Sequence, residues 1–183
     1  MQTLTRSRCL VFLLVLFGVF SLRQVSATRL NPVSWSIEPD TSHTTPGSTA
    51  LIHLRAQIEP GYHLYSATTP SHGPIRTTIA LRNPPVSLLR IDVYQPPPNR
   101  HIDPTLNVPV ETFEKTVDFP VALKVASGVA DGNVTLEIAV RYQACSSELC
   151  LPPVTRTATA KLLISPGSPT HPSPPKGYVL LPR

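Results

Sequence analysis

Proline is the feature that most restricts how this chain can fold: 22 of the 183 residues are proline, and they are spread along the sequence. A proline inside a helix removes a backbone hydrogen bond and clashes with the preceding turn. Long helices are therefore excluded over most of the chain. Charged residues make up only 15% of the sequence, against a usual value of about 25%, which excludes a coiled coil and a charge-driven disordered chain.

Alternating hydrophobicity indicates β-strands instead. Apolar side chains occupy every second position from Ala50 to Ile58, and a period of two gives a strand with one buried face. The same pattern, in full or shorter form, recurs at 33–38, 75–82, 86–94, 117–125, 134–142 and 154–164. Turn-forming proline, glycine, asparagine and aspartate separate these segments. The sequence therefore predicts an all-β fold, an immunoglobulin-like antiparallel β-sandwich, in which Pro120 marks an edge or a bulge.

Two segments depart from this pattern. Gln95 to Pro109 is proline-rich and is predicted to be a long loop. From Ser165 onward, six of the 19 residues are proline, which favours a flexible Pro-rich tail over residues 166–183. The apolar residues at 178–181 allow a second interpretation, in which the end of the tail is a docking peptide.

The first 27 residues have the pattern of a cleaved signal peptide. Arg6 and Arg8 precede an apolar run from Cys9 to Phe20, and Val25-Ser26-Ala27 follows as a small-x-small cleavage site. We expect a mature, exported domain over residues 28–165, and Cys9 to be removed with the signal peptide.

The net charge gives no indication of a nucleic-acid partner. The formal charge of +5 includes three arginines in the predicted signal peptide, so the remainder has 13 basic and 11 acidic residues, a net of +2. We expect no nucleic-acid binding.

Cys145 and Cys150 are the two cysteines of the predicted mature chain. Five positions apart, they can approach closely enough for a disulfide across a tight turn, and export permits one. A bridge that closes so short a loop adds little stability in the chain-entropy model. Their spacing alone leaves a structural and a redox-active disulfide equally open.

The sequence gives little support for a metal site or a hydrolase active site. None of the six histidines has metal-ligand spacing to another or to the cysteines, so we expect no metal and no cofactor. Serine does not occur in a nucleophile-elbow pattern. The acidic residues Glu111, Glu114, Asp118 and Glu148 are interpreted as ordinary strand or turn charges.

The cysteine segment resembles a known family. Tyr142-Gln143-Ala144-Cys145, followed by Cys150-Leu151-Pro152-Pro153, is similar to the active-site segment of the N-terminal domain of DsbD thiol:disulfide interchange proteins. Gly61-Tyr62-His63-Leu64-Tyr65 and the strand from Glu111 to Val121 resemble two further stretches of that domain.

This resemblance implies a periplasmic domain that relays reducing equivalents to thioredoxin-fold proteins, including disulfide isomerases and cytochrome c maturation factors. Cys150 would form the mixed disulfide with the partner and Cys145 would resolve it. The packing residues implied beside the pair are His63, Tyr65 and Tyr142. Gln95–Pro109 corresponds to a cap loop over the disulfide, with Asp103 and Leu106 in it.

Two functions remain open from the sequence. The first is an exchange protein of the protein-disulfide reductase type, monomeric, which receives electrons from a separate membrane transporter. The second is a non-catalytic, secreted β-sandwich that binds partners and has only a structural disulfide.

Overall fold

The computed structural model describes residues 31–85, 87–103 and 106–182, and the secondary structure of these residues is strands and turns with no helix. These residues accordingly contain no candidate for a membrane-spanning helix. The predicted signal peptide lies outside the described residues. Thirteen strands follow in chain order: β1 Val33–Pro39, β2 His43–Thr44, β3 Thr49–Ile58, β4 His63–Tyr65, β5 Thr78–Arg82, β6 Leu88–Gln95, β7 Asn99–Ile102, β8 Pro109–Phe113, β9 Thr116–Val125, β10 Gly132–Tyr142, β11 Ala144–Cys145, β12 Val154–Ile164 and β13 Val179–Leu180.

The strands form three sheets. A five-stranded sheet has the order β1-β3-β9-β6-β13, and a four-stranded sheet has the order β2-β12-β10-β5. A third sheet, β11-β4-β8-β7, contains Cys145 at one side and the β7–β8 hairpin at the other. The pairings are antiparallel except for the short β2–β12 contact. The predicted immunoglobulin-like β-sandwich is confirmed.

The core follows the period of two in the sequence. In β3 the side chains of Ile52, Leu54 and Ala56 are fully buried, and β9 and β10 contribute their own alternating apolar faces. An aromatic series runs through this core: Trp35 packs on Phe119 with ring centroids 6.1 Å apart, and Phe119 meets Phe113 edge-to-face at 5.7 Å. Because Phe113 ends β8, this series joins the main core to the third sheet.

Two local predictions were wrong. Pro120 lies in β9, an interior strand between β3 and β6, and the irregular pairing occurs in β6 between Leu88 and Arg90. Proline is tolerated at position 120 because the regular β6–β9 pairing ends at Val121, so the missing N–H group of Pro120 interrupts none of it. The predicted loop from Gln95 to Pro109 contains β7, which pairs along its whole length with β8.

The C-terminal segment also differs from the predicted flexible tail. Thr49 N donates to Thr170 O at 2.9 Å, and Thr170 N donates to Ser48 Oγ at 2.9 Å. Farther along, β13 pairs with Tyr94 and Gln95 at the end of β6, and Leu181 N donates to Val93 O at 2.8 Å. The edge of β6 that faces away from β9 supplies the backbone partners of β13 and Leu181. The end of the tail therefore docks on its own domain.

Candidate functional site

The two cysteines face each other across a tight hairpin. Their Sγ atoms form a disulfide, and their Cα atoms are 4.0 Å apart. Leu151 N donates to Ala144 O at 2.9 Å and Ser146 N donates to Leu149 O at 2.8 Å, so the cysteines occupy a non-hydrogen-bonded pair between these two bonds. In an antiparallel ladder this is the pair type in which facing residues approach most closely, at about 4.5 Å.

Polar side chains stabilise the hairpin. Ser146 Oγ accepts hydrogen bonds from the backbone N–H groups of Glu148 and Leu149, both at 3.2 Å. Gln143 Nε2 donates to Leu151 O at 3.1 Å, and Gln143 Oε1 accepts a bond from Ile75 N at 3.0 Å. Gln143 therefore ties both arms of the hairpin to the segment that leads into β5.

The environments of the two cysteines differ sharply. Cys145 is 1% exposed and packs in a small apolar cluster with Tyr65 and Val110, against which Val108 also lies. Cys150 is exposed. A reactant from solution therefore meets Cys150 first, since access to sulfur controls thiol–disulfide exchange.

The strand beside Cys145 begins at a glycine turn. Tyr62 N donates to Glu59 O at 3.1 Å, closing a turn whose third residue, Gly61, has φ +85°. That backbone conformation favours glycine, and Pro60 before it completes a type II turn. The turn reverses the chain from β3 into β4, where His63 pairs with Cys145.

A hydrogen-bonded series leads from β4 into the turn after β7. His63 Nε2 lies 3.1 Å from Tyr65 Oη, and the Tyr65 hydroxyl donates to Asp103 Oδ2 at 3.3 Å. The His63 and Tyr65 rings also meet edge-to-face, with centroids 5.1 Å apart. Asp103 in turn accepts a bond from Leu106 N at 2.9 Å, so one carboxylate holds both Tyr65 and the turn of the β7–β8 hairpin.

The surroundings of this series shift the pKa values of Tyr65 and His63. Burial, followed by the Asp103 carboxylate, raises the pKa of Tyr65 above its ordinary value, so the hydroxyl stays protonated. Burial lowers the pKa of His63 and the neighbouring His101 lowers it further, while Asp103 and Glu114 act in the opposite direction. The result is a pKa below the ordinary value of 6.5 for histidine.

The lowered pKa of His63 predicts a pH dependence of stability. At pH values well above the ordinary histidine pKa of about 6.5, the side chain is neutral in both the folded and the unfolded chain. As the pH falls below that value the unfolded chain binds a proton that the folded chain resists, so the folded state loses stability. We expect His63→Gln to lose less stability than the natural chain between pH 7.5 and 5. Urea unfolding at both pH values measures this difference, and identical losses in the two proteins would contradict it.

Most of the residues implied by the family resemblance lie together. Tyr65 contacts Cys145, while His63 and Asp103 contact Tyr65. Leu106 belongs to the turn of the β7–β8 hairpin and is 45% exposed.

Tyr142 lies elsewhere, in the main core. Its ring packs on Trp35 at 5.5 Å and its hydroxyl donates to Asn31 Oδ1 at 2.8 Å. It precedes the cysteine hairpin but is outside the cluster that contains Cys145.

Several residues of the site were not predicted from the sequence. Val108 and Val110 pack around Cys145, and Gln143 holds the hairpin. For Gln143 the motif before Cys145 was a usable indication. The valines could not be recognised, because nothing in their local sequence shows that β8 faces a cysteine 35 or more residues away. Among the described residues there is no group of three or more histidine, cysteine, aspartate or glutamate side chains suited to a metal ion.

The fold and the site define the described part of the chain as an immunoglobulin-like domain with a disulfide in a hairpin, in which Cys150 is exposed and Cys145 is buried. A family model, described as the N-terminal part of the thiol:disulfide interchange protein DsbD, matches residues 36–162. The chain belongs to this family, which confirms the resemblance inferred from the cysteine segment.

Solved structures include two that are similar to this chain over most of its length. The N-terminal periplasmic domain of ScsB from Proteus mirabilis is 19% identical, with a TM-score of 0.49, over 71% of this chain and 51% of that one. The DsbD N-terminal domain of Neisseria meningitidis, in the reduced form, is 16% identical, with a TM-score of 0.39, over 69% of this chain and 83% of that one. This chain thus spans about half the length of the ScsB chain. A comparison with curated protein sequences found no match.

Proposed function

We propose that this protein performs thiol–disulfide exchange through Cys145 and Cys150 and passes reducing equivalents to thioredoxin-fold proteins. The observation that carries this proposal is the contrast between an exposed Cys150 and a Cys145 that is 1% exposed, in one disulfide of an interchange family. A bridge with one accessible sulfur can react with a second protein, whereas a purely structural bridge has no need of this asymmetry.

The chemistry is a pair of balanced exchange steps. In the reduced protein the Cys150 thiolate attacks a disulfide sulfur of the partner, forming an intermolecular disulfide and releasing one partner thiolate. Cys145 then attacks Cys150 Sγ, which re-forms the internal disulfide and releases the second partner thiolate. Two electrons have moved from this protein to the partner, and the Cα separation of 4.0 Å keeps Cys145 within reach for the second step.

The proposed setting is the periplasm, reached through cleavage of the signal peptide after Ala27. There the protein acts as a monomeric protein-disulfide reductase, and a separate membrane electron transporter re-reduces the cysteine pair. Disulfide isomerases and cytochrome c maturation factors are the proposed acceptors. The membership of the interchange family supports this assignment.

The reduction potential of the cysteine pair tests the proposed function. Structural disulfides of exported proteins have potentials below about −300 mV, and a carrier has to lie nearer the glutathione range. We expect a value above about −300 mV when the protein is equilibrated with glutathione or dithiothreitol buffers and the free cysteines are quantified by alkylation and peptide mass spectrometry. A value well below this limit would instead favour the non-catalytic module with a structural disulfide.

A further inference from the structure

A buried carboxylate lies at the base of the cap hairpin, β7–β8. Glu111 is 9% exposed and its carboxylate accepts hydrogen bonds from Ser66 Oγ at 2.8 Å and from Thr68 Oγ1. Arg100 Nε donates to its other oxygen at 2.9 Å. Burial by itself raises the pKa of Glu111, but the bonds from Thr68 and Ser66 and the Arg100 guanidinium outweigh it, so the pKa lies below its ordinary value.

These partners come from β7 and from the turn that follows β4. Arg100 faces Glu111 directly across the β7–β8 ladder, so their ion pair joins the two strands of the hairpin. Ser66 and Thr68 belong to the turn that follows β4, and Ser66 N also donates to Glu111 O at 2.8 Å. Glu111 therefore fastens the cap hairpin to the strand that carries Tyr65.

A second buried side chain extends this polar network. Gln95, which is 2% exposed, donates from Nε2 to Thr68 Oγ1 at 2.7 Å and accepts a bond from Ala67 N at 3.1 Å. Gln95 is the last residue of β6, just before the chain enters the cap hairpin. The entry to the hairpin and its β8 strand are thus held by the same short turn.

The opposite face of β8 covers the buried cysteine. Successive residues of a strand point to opposite faces, so Val110 and Glu111 point in opposite directions. Val110 packs against Cys145, while Glu111 enters the polar network. Whatever holds Glu111 in place also sets how closely Val110 and Val108 lie over Cys145.

We propose that Glu111 is a positioning residue for the cysteine pair: it anchors the cap hairpin to the Ser66–Thr68 turn and thereby keeps Cys145 covered while Cys150 remains accessible. This inference deepens the proposed function and rests on it for its biological meaning. Its consequence is selectivity, because a covered Cys145 reacts with Cys150 but not with other molecules.

Site-specific alkylation of the reduced full chain tests the proposal. A brief pulse of iodoacetamide at neutral pH, followed by peptide mass spectrometry, gives separate rates for Cys145 and Cys150. In the natural chain Cys145 should react about tenfold or more slowly than Cys150. Glu111→Ala should raise the Cys145 rate about tenfold, because the charge-assisted hydrogen bonds that hold the cap hairpin are lost. The Cys150 rate should stay unchanged, because Cys150 is already exposed. Glu111→Gln keeps an acceptor oxygen for the hydroxyl groups and should restore part of the protection.

Matched variants separate this effect from a general loss of stability. Glu38→Gln removes the carboxylate of another ion pair, with Arg55 on the β1–β3 ladder, and should leave the Cys145 rate unchanged. Leu162→Ala truncates a core side chain that is 1% exposed and destabilises the whole fold. If Leu162→Ala raises the Cys145 rate as much as Glu111→Ala, the proposal is overturned.

A second variant covers the case in which Glu111→Ala fails to fold. Arg100→Ala truncates a side chain that is 77% exposed and should raise the Cys145 rate about threefold, through loss of one bond to Glu111. Unchanged Cys145 rates in Arg100→Ala and in whichever Glu111 variants fold would overturn the proposal. Because alkylation requires no partner, this result is independent of whether the protein exchanges disulfides with a thioredoxin-fold protein.

Discussion

Cys145→Ala is expected to accumulate a mixed disulfide with an oxidised thioredoxin-fold protein, whereas Cys150→Ala is expected to form at least about tenfold less. The reason is the difference in access: Cys150 is exposed, and Cys145 lies 1% exposed beneath Tyr65 and Val110. Exchange requires a thiolate to reach the disulfide sulfur in line, so the exposed cysteine makes the first bond. Removal of Cys145 also removes the nucleophile of this chain that would resolve the adduct, so only the thiolate released on the partner can still break it, by reversing the first step.

The measurement is a non-reducing gel followed by peptide mass spectrometry, after incubation of each variant with a purified, oxidised thioredoxin-fold protein. The adduct should disappear on addition of dithiothreitol, and the double variant that lacks both cysteines should form none. Equal adducts from the two single variants would contradict the assigned order of attack. Absence of adduct from both would contradict the proposed function itself.

Phe119→Ala is expected to lower the free energy of unfolding by about 3–5 kcal/mol, a large part of the stability of a typical domain. Phe119 is fully buried, and its ring contacts Trp35 on β1 and Phe113 on β8. Truncation therefore leaves a cavity at the junction between the main core and the sheet that contains Cys145. Phe119 is paired with Leu54 of β3 inside a continuous antiparallel ladder, which limits how far the backbone can move into this cavity.

Urea unfolding of the oxidised protein measures this loss. Leu163→Ala is the matched control, since it also truncates a large apolar side chain but one that is 41% exposed, and it should change stability by only about 0.5 kcal/mol. A loss of less than about 1 kcal/mol in Phe119→Ala would show that the aromatic series does not hold the two parts of the core together.

The success of the strand predictions has a simple physical origin. In β3 the alternation from Ala50 to Ile58 is local, and only one arrangement buries all of its apolar side chains. A disulfide across a tight turn could be predicted for the same reason, because Cys145 and Cys150 are only five positions apart in the sequence. β7 was missed, since each residue of Asn99–Ile102 is exposed and the strand exists through backbone pairing with β8.

Glu111 illustrates the limit for the candidate site. In the sequence it is one of several acidic residues in strands and turns, and its interpretation as an ordinary charge was wrong. Its hydroxyl partner Ser66 precedes it by 45 positions, and the bond forms only because β4 and β8 are neighbours in the third sheet. Docking of β13 on β6 likewise depends on a sheet edge that becomes visible only after all the strands are placed.

Local patterns in the sequence were enough to predict the all-β architecture and a possible disulfide across a tight turn, because the alternation of apolar residues and the spacing of Cys145 and Cys150 involve neighbouring positions. The family was indicated by the resemblance of the cysteine segment and is shown by the family model over residues 36–162. The exposure of Cys150, the residues that cover Cys145 and the position of the C-terminal segment could be seen only once the strands were assembled. Burial and hydrogen bonding at those places are properties of surfaces brought together from distant segments, and no local pattern encodes them.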